Sequence, residues 1–224
     1  MKRVVVSWSS GKDCAWALHR LRQQPGIEVV GLSTAFDDAF DRVAVHGVRR
    51  ALVEAQASSL GLPLRSVWLP WPCSNAEYER RMRIAVDAMR SDGVTHIAFG
   101  DLFLEEVRAY RERQLAGTGI EPLFPLWGSV TDTMDLTRTM QAAGVEARLT
   151  CVDPKQLSPE FAGRSWDAQL LTDLPAGVDP CGENGEFHTF CTAGPMFATP
   201  ISVQTGATTE RDGFLLADLL PGEK

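Results

Sequence analysis

The sequence predicts an α/β fold in which helices cover both faces of a parallel sheet, with a smaller C-terminal α+β part. Strand and helix patterns alternate over the first half of the chain with short connections, which is typical of a parallel sheet. Polar segments follow three of the strand patterns, where such sheets bind ligands. After Trp127 the alternation ends. We therefore expect a first domain over residues 1–128 and a smaller region over residues 129–224.

The first domain contains a regular series of strand and helix patterns. The apolar run Arg3–Trp8 ends in a Ser/Gly turn, and the helix pattern Asp13–Gln24 ends at Pro25-Gly26, since proline and glycine stop helices. The next predicted elements are strand Ile27–Phe36, helix Gly47–Leu60 with a cap region at Ala44–His46, and strand Leu64–Leu69. They are followed by helix Asn75–Arg90 with Asn75 as its cap, strand Thr95–Gly100, helix Leu104–Leu115 and an extended segment Ile120–Leu126.

The second region mixes the two kinds of pattern. Thr131–Ala143 and Trp166–Leu174 have helical spacing, and Glu146–Val152 has an extended pattern. The Gly- and Pro-rich passage PAGVDPCGENGEF then precedes alternating strand patterns that continue to Leu216. We expect this α+β part to pack on the strand ends of the first sheet.

Composition excludes several classes of protein. The 224 residues are 44% hydrophobic and 23% charged, which is typical of a globular protein. No apolar run has transmembrane length and no signal peptide pattern is present, so we expect a cytoplasmic protein without a membrane partner. The net charge of −7 and the lack of a dense basic stretch argue against a broad nucleic-acid interface.

The cysteines do not form a recognisable framework. Five are scattered along the chain without a C-x-x-C pair, which argues against structural disulfides, a zinc ribbon or an iron–sulfur centre. Most of them are expected to be small buried apolar residues.

The segment VVVSWSSGKDC has the composition of a phosphate-binding loop but not of a Walker loop. Gly11-Lys12 is present, but Val6 replaces the first glycine of that motif and Asp13 replaces its Ser or Thr. A tight turn that enters a helix can still bind an anion through its backbone N–H groups. The expected anion site comprises the hydroxyls of Ser7, Ser9 and Ser10, the backbone of Gly11, the charge of Lys12, and Asp13 as a Mg²⁺ ligand. The alternative is an ordinary strand–turn–helix junction.

Ser9–Cys14, SSGKDC, resembles the SGGKDS signature of the PP-loop ATPases, AMP-forming members of the Rossmann-like adenine-nucleotide α-hydrolase-like superfamily. Ser10 replaces a glycine, which predicts that the backbone there has no need of a glycine-only conformation. Cys14 replaces a serine, which keeps a small side chain and weakens any hydroxyl contact to phosphate.

Further segments resemble the diphthine–ammonia ligase family over nearly the whole chain, and Phe99–Glu105 is similar to its bacterial members. The matching segments are His46 with Gln56-Ala57, Gly61-Leu62-Pro63, Phe99-Gly100-Asp101, Arg108, Tyr110-Arg111-Glu112, Pro125-Leu126-Trp127 and Gly182–Thr189. This resemblance implies ATP binding by residues 1–128 and substrate binding by residues 129–224. It also implies adenylation of a carboxylate, release of pyrophosphate and amidation by ammonia. In the archetype the carboxylate belongs to a modified histidine of a translation elongation factor.

Other site residues follow from position and from this resemblance. Ser33, Thr34 and Phe36 end the second strand and are expected to border the adenine or ribose. Asp101, beside Gly100, ends the fourth strand and either contacts a ligand or caps the next helix. His46 and Arg108 are expected in the nucleotide site on the resemblance; alternatively, His46 belongs to a helix cap and Arg108 pairs with Glu112 on the surface.

The segment GENGEFHT predicts a tight loop with chemical function. Glu183, Glu186 and His188 are close enough in sequence to face one place, where they would bind Mg²⁺ or ammonium, or accept a proton from attacking ammonia. The alternative is a solvated acidic turn. Because the family motif includes this segment, we expect these three residues, with Lys12 and Asp13, to be catalytic.

Two rival functions remain at this point. Cys14, Cys181 and Cys191 lie in or beside the two loops, as a PP-loop sulfurtransferase acting on RNA would require, although no RNA-binding module is evident. A non-catalytic adenine-nucleotide sensor would not need both loops. The sequence does not determine the identity of the acyl acceptor substrate, which a protein could carry. It also does not determine the oligomeric state, for which a homodimer is one alternative.

Overall fold

The computed structural model describes residues 1–128 and 133–222. The strands in these ranges are β1 (Lys2–Ser7), β2 (Ile27–Asp37), β3 (Arg42–Val43), β4 (Leu64–Leu69), β5 (His96–Ala98), β6 (Glu121–Leu123), β7 (Glu146–Val152), β8 (Phe187–Ala193), β9 (Val203–Arg211) and β10 (Phe214–Pro221). The helices are α1 (Lys12–Arg22), α2 (Arg50–Leu60), α3 (Asn75–Ser91), α4 (Glu105–Leu115), α5 (Thr133–Ala142) and α6 (Ala168–Asp173).

The first sheet is parallel apart from one short strand. Its parallel strands have the order β4–β2–β1–β5–β6. The strand β3 pairs antiparallel with the end of β2, through Phe36 and Asp37. The direction in which successive strands are added to the sheet reverses between β1 and β5, and ligands of such sheets bind at that point. The second sheet is antiparallel, in the order β8–β7–β10–β9.

Alternation along β1 places apolar side chains on both faces of the first sheet. Val4 and Val6 belong to a buried cluster that includes α1, α2 and the second sheet. Val5 faces the other side, where it joins a cluster that includes Val86 and Met89 of α3 and Leu115 of α4. The predicted α/β fold, with helices on both faces of a parallel sheet and a separate smaller sheet, is confirmed.

Local differences from the predicted elements have identifiable causes. β3 was not predicted because two residues are too few to show alternation. Helix α2 begins at Arg50 rather than at Gly47, because Val45 and Gly47 have φ angles of 69° and 68° that belong to a turn. The cap of α3 is Ser74, whose hydroxyl accepts a hydrogen bond from the N–H of Glu77 at 3.2 Å, and not Asn75.

The second region differs from its prediction mainly at helix ends. α6 starts at Ala168, because the Asp167 side chain caps it by accepting a hydrogen bond from the Leu170 N–H at 2.9 Å. Trp166 precedes this helix and is buried, with its indole N–H bonded to the Pro180 carbonyl. The first two residues of the predicted helix 131–143 lie outside the described residues. Within those ranges, no helix has the length and apolar character to cross a bilayer.

The two sheets are joined by polar contacts as well as by the common apolar cluster. The Asp218 carboxylate of β10 forms ion pairs with Arg42 at 2.8 Å and with Arg49 at 2.6 Å. These pairs hold the β3–α2 connection against the second sheet. Both arginines lower the pKa of Asp218 to about 2, with the hydrogen bond from Arg49 as the main cause. On the other side of the contact, β8 packs along α1 beside the end of β1. The second sheet therefore packs against helices α1 and α2 and against Ser10, which follows β1.

Candidate active site

The first loop turns sharply at Ser10. Its φ of 71° lies in the left-handed region that favours glycine. The expectation that a serine here signals an ordinary backbone conformation is therefore wrong. The Ser10 side chain is completely buried, and its hydroxyl makes no hydrogen bond within the described residues. Both features make Ser10 an energetically costly residue at this turn.

Contacts to the Ser10 carbonyl hold the turn in place. This oxygen accepts hydrogen bonds from the Gln56 side chain at 3.1 Å and from the Cys191 N–H at 2.9 Å. Gln56 is fully buried and also donates to the Cys191 carbonyl at 2.7 Å, while its own oxygen accepts from the Trp8 indole at 2.9 Å. The loop is thus bound simultaneously to the end of β1, to α2 and to β8.

Lys12 begins helix α1 and is 1% exposed. Its ammonium group donates to both oxygens of Asp13, at 3.1 and 2.8 Å, and to the Cys181 carbonyl. These contacts use all three of its donors. Burial works to lower the pKa of Lys12, but the neighbouring Asp13 carboxylate outweighs it and keeps the pKa above the usual value. Lys12 therefore stays charged inside the protein.

Two connected pockets open at the carboxyl ends of β1, β2 and β5. We call the first, of about 300 Å³, the apolar pocket; its walls include Tyr78, Met82, Met89, Ile97, Phe99 and Leu115. We call the second, of about 250 Å³, the polar pocket; its walls include Gly11, Asp13, Asp101, Glu183, His188 and Thr189. The first loop and the GENGEFHT loop therefore both line the polar pocket.

Glu183 is the carboxylate of the GENGEFHT loop that lines the polar pocket. One of its oxygens accepts a hydrogen bond from the Leu102 N–H at 2.7 Å. Burial, together with the negative charges of Asp13 and Asp101, raises its pKa to about 7. A carboxyl group in this range can accept and release a proton near neutral pH.

Glu186 is placed differently, although the sequence suggested the same role. It is 3% exposed and does not line either pocket. Its Oε1 accepts hydrogen bonds from the Asp179 N–H at 2.9 Å and from the Asn184 side chain at 3.1 Å. Within the described structure, Glu186 thus holds the loop in shape from inside and leaves the polar pocket to Glu183.

His46 and His188 stack on each other with ring centroids 4.2 Å apart. His188 lines the polar pocket, and His46 lines both pockets. Burial, followed by the charge of Lys12, lowers the pKa of His188 to about 4, and burial also places the pKa of His46 well below its usual value. Both rings are therefore neutral at physiological pH.

The remaining predicted residues divide into two groups. Ser33 lines the apolar pocket, and Ser7, Ser9, Cys14 and Gly100 line one or both pockets. The predicted residues outside both linings are Ser10, Thr34, Phe36, Glu186 and Arg108.

Of these residues, Thr34 and Arg108 have other partners, and Phe36 is completely buried. The Thr34 hydroxyl donates to the Trp8 carbonyl at 2.7 Å. Arg108 pairs with Glu112 at 2.9 Å, which is the surface alternative considered for it.

Asp101 does not cap helix α4, whose N-cap is Leu104, and it pairs instead with Arg111 at 3.5 Å.

Gly100 has a steric role that the sequence only suggested. A Cβ atom at this position would lie 2.8 Å from the Cys14 nitrogen and 2.9 Å from the Asp13 carbonyl carbon. The start of helix α1 therefore packs directly against the backbone that follows β5. This close approach brings Asp13 and Asp101 into the same pocket.

Sequence reasoning missed three residues of the cleft as contributors in their own right. Arg111 lines both pockets, Gln56 anchors the first loop, and Thr189 accepts a hydrogen bond from the Lys12 N–H at 3.2 Å. All three lie in segments that resemble the family, and Arg111 is in addition about one helical turn from Arg108.

The thiols near the cleft are protonated. Burial raises the pKa of Cys14 to about 11 and that of Cys181 to about 12, and it also raises the pKa of Cys191. Since the thiolate is the reactive form of cysteine, these residues are poorly suited to sulfur transfer. This argues against the sulfurtransferase alternative.

Replacement of Ser10 tests the strain at the turn. Ser10→Gly removes the left-handed penalty and the buried hydroxyl, so we expect it to raise the free energy of unfolding by about 1 kcal/mol. Ser10→Ala, the control, removes only the hydroxyl and should gain less. Chemical denaturation measures both. A glycine variant that is less stable than the alanine variant would contradict the strained turn.

Comparison with known proteins agrees with this architecture. Residues 1–122 match the family model for the diphthamide synthase N-terminal domain, and residues 132–216 match that for the C-terminal domain. The chain is 24% identical to the diphthine–ammonia ligase of Rattus norvegicus and 25% identical to that of Homo sapiens, over 91% of this chain and 83% of each relative. It is 27% identical to that of Danio rerio, over 92% of this chain and 88% of the relative. The chain belongs to the diphthamide synthase family.

Proposed function

We propose that this protein is an ATP-dependent ligase that adenylates a carboxylate, releases pyrophosphate and forms an amide with ammonia. The observation that carries the proposal is the joined pair of pockets, one apolar and one polar, with the first loop and the GENGEFHT loop both in the lining of the polar pocket. The name of the three relatives, diphthine–ammonia ligase, describes the same type of reaction.

The shape of the cleft suits ATP. The apolar pocket has the aromatic and aliphatic walls that a flat adenine base requires. The polar pocket begins at the N-terminus of helix α1, where the helix dipole favours phosphate. In this proposal residues 1–128 bind ATP, and residues 129–224 supply most of the wall at which the second substrate reacts.

The chemistry consists of two displacements. A carboxylate oxygen of the substrate attacks the α-phosphorus, and the bond from that phosphorus to the bridging oxygen breaks, with its electron pair leaving on pyrophosphate. Ammonia nitrogen then attacks the acyl carbon, and the acyl–oxygen bond breaks with its electron pair leaving on AMP. The nitrogen loses one proton in forming the amide. The protein must therefore neutralise phosphate charge and accept that proton.

Glu183 is the proton acceptor in this proposal. Its carboxyl lines the polar pocket and its pKa of about 7 matches the task. The neutral rings of His46 and His188 form the adjacent wall, where they can hydrogen-bond a substrate without binding its carboxylate as a cation would. Glu186 keeps the loop rigid, so that Glu183 stays in place.

The residues present also fit Mg²⁺, if ATP supplies part of the coordination. Among the described residues, no group of three or more His, Cys, Asp or Glu side chains is placed to hold a metal ion unaided. Asp101 has a buried Oδ2 with no hydrogen-bond partner in the described structure, and Asp13 lines the same pocket. Mg²⁺ is commonly bound by one or two carboxylates and substrate phosphates. Bound in this way, it would neutralise charge on the departing pyrophosphate.

Product analysis tests the proposed reaction. Purified protein is incubated with ATP, ¹⁵N-labelled ammonium and a carboxylate-containing extract, and nucleotides and labelled amides are identified by mass spectrometry. We expect AMP and pyrophosphate in equal amounts, with ¹⁵N in an amide formed in the same proportion. ADP and phosphate as the products that accompany amide formation would overturn the adenylation mechanism.

Glu183→Gln tests the assigned proton acceptor. At a fixed concentration of unprotonated ammonia, wild-type turnover should rise with pH through about 7, because the carboxylate is the active form. The variant should lose this inflection and fall in turnover by roughly 10²- to 10⁴-fold.

Glu183→Gln, which should lower turnover, should raise the stability of the fold. A carboxyl whose folded pKa lies above its unfolded value destabilises the fold once the pH exceeds both values, so Glu183→Gln should raise the free energy of unfolding at pH 8, by up to about 3 kcal/mol. The exposed Glu210→Gln serves as the control for both measurements. A pH profile unchanged from that of wild type would exclude Glu183 as the proton acceptor.

A further inference from the structure

The point where the two pockets meet contains one permanent cation. Five described residues line both pockets: Ser7, Ser9, His46, Phe99 and Arg111. Among them, only Arg111 is charged at every physiological pH. In ATP the base, the ribose and the three phosphates are joined in series. A nucleotide with its base in the apolar pocket and its terminal phosphates in the polar pocket therefore has its ribose and α-phosphate at this junction.

The loop lysine is not available for that phosphate in the structure described above. All three donors of the Lys12 ammonium are used by Asp13 and the Cys181 carbonyl. The side chain is 1% exposed, and its charge lies 5.3 Å from the Trp166 ring centroid and 5.8 Å from that of Phe187. To reach a phosphate oxygen, the ammonium would have to give up one of these contacts.

Arg111, in contrast, has unused hydrogen-bonding capacity. Its guanidinium lies 5.0 Å over the Phe99 ring, which fixes its plane at the junction. The Nε is buried and makes no hydrogen bond within the described residues, and its distance of 3.5 Å from Asp101 Oδ2 is an ion-pair distance only. The side chain is 29% exposed and lines both pockets, so a ligand in the cleft can reach the group.

We propose that Arg111, and not Lys12, is the catalytic cation that binds the α-phosphate and neutralises the charge that develops on it during adenylation. This assignment rests on the proposed function. Its physical basis is that a planar guanidinium donates two parallel hydrogen bonds to phosphate oxygens. Lys12 then has a different task, since its ammonium ties Asp13 to the Cys181 segment.

Binding of four probes by calorimetry tests the assignment without knowledge of the carboxylate substrate. The probes are ATP, AMP, adenosine and inorganic pyrophosphate. A charge-assisted contact to the α-phosphate predicts that Arg111→Gln weakens AMP binding by roughly 10- to 100-fold. Adenosine and pyrophosphate binding should change by less than about threefold, because neither contains the α-phosphate. Arg111→Lys keeps the charge and should recover part of the AMP affinity.

Arg113→Ala is the matched control, since Arg113 is exposed on the same helix and lines neither pocket. Thermal unfolding without nucleotide shows whether each variant is folded. Equal losses for adenosine and AMP would overturn the assignment, because Arg111 would then only shape the apolar pocket. An unchanged AMP affinity would overturn it as well. Failure of the wild-type protein to bind ATP would instead refute the proposed function itself.

Discussion

The left-handed turn at Ser10 is the constraint on which the cleft depends. The turn directs its carbonyl into the protein, where Gln56 and Cys191 bind it, and leaves the start of helix α1 facing the polar pocket. Because Gln56 also binds Trp8 and the Cys191 carbonyl, one buried amide sets the relative position of β1, α2 and β8. Loss of this turn would move both walls of the cleft together.

Charge balance is the second constraint. The polar pocket contains the carboxyls of Asp13, Asp101 and Glu183, with Lys12 and Arg111 as its cations. Lys12 is committed to Asp13 and to a backbone carbonyl, which leaves Glu183 in a negative, partly dehydrated environment that raises its pKa. A site that keeps carboxyls close together at a cost in stability is typical of catalytic centres rather than of structural contacts.

Much of this organisation could be predicted from local sequence. The apolar run before Ser7, the turn residues after it and the glycines that flank Glu183 mark the sheet and both loops without any tertiary information. The parallel pairing of the strands was predictable because strands and helices alternate along the chain. The position of the first loop was predictable because it follows a strand end, where parallel sheets bind ligands.

Other features depend on contacts distant in sequence. Glu183 and Glu186 lie in one short loop, and the turn at Gly185, with φ of 86°, decides which of them reaches the pocket. Gln56 has its role because Ser10 and Cys191, 46 and 135 residues away, meet beside it. Val45 and Ser10 have φ values that their residue types rarely adopt, so local propensity did not indicate a left-handed conformation at either position.

A crystal structure with the α,β-methylene analogue of ATP would show directly where the nucleotide binds. That analogue cannot lose pyrophosphate, so the complete ligand stays in the cleft. We expect the adenine in the apolar pocket, the α-phosphate between Ser9 and Arg111, and the β- and γ-phosphates beside Gly11 and Asp13. An adenine bound in the polar pocket, or a triphosphate bound away from the first loop, would contradict this placement.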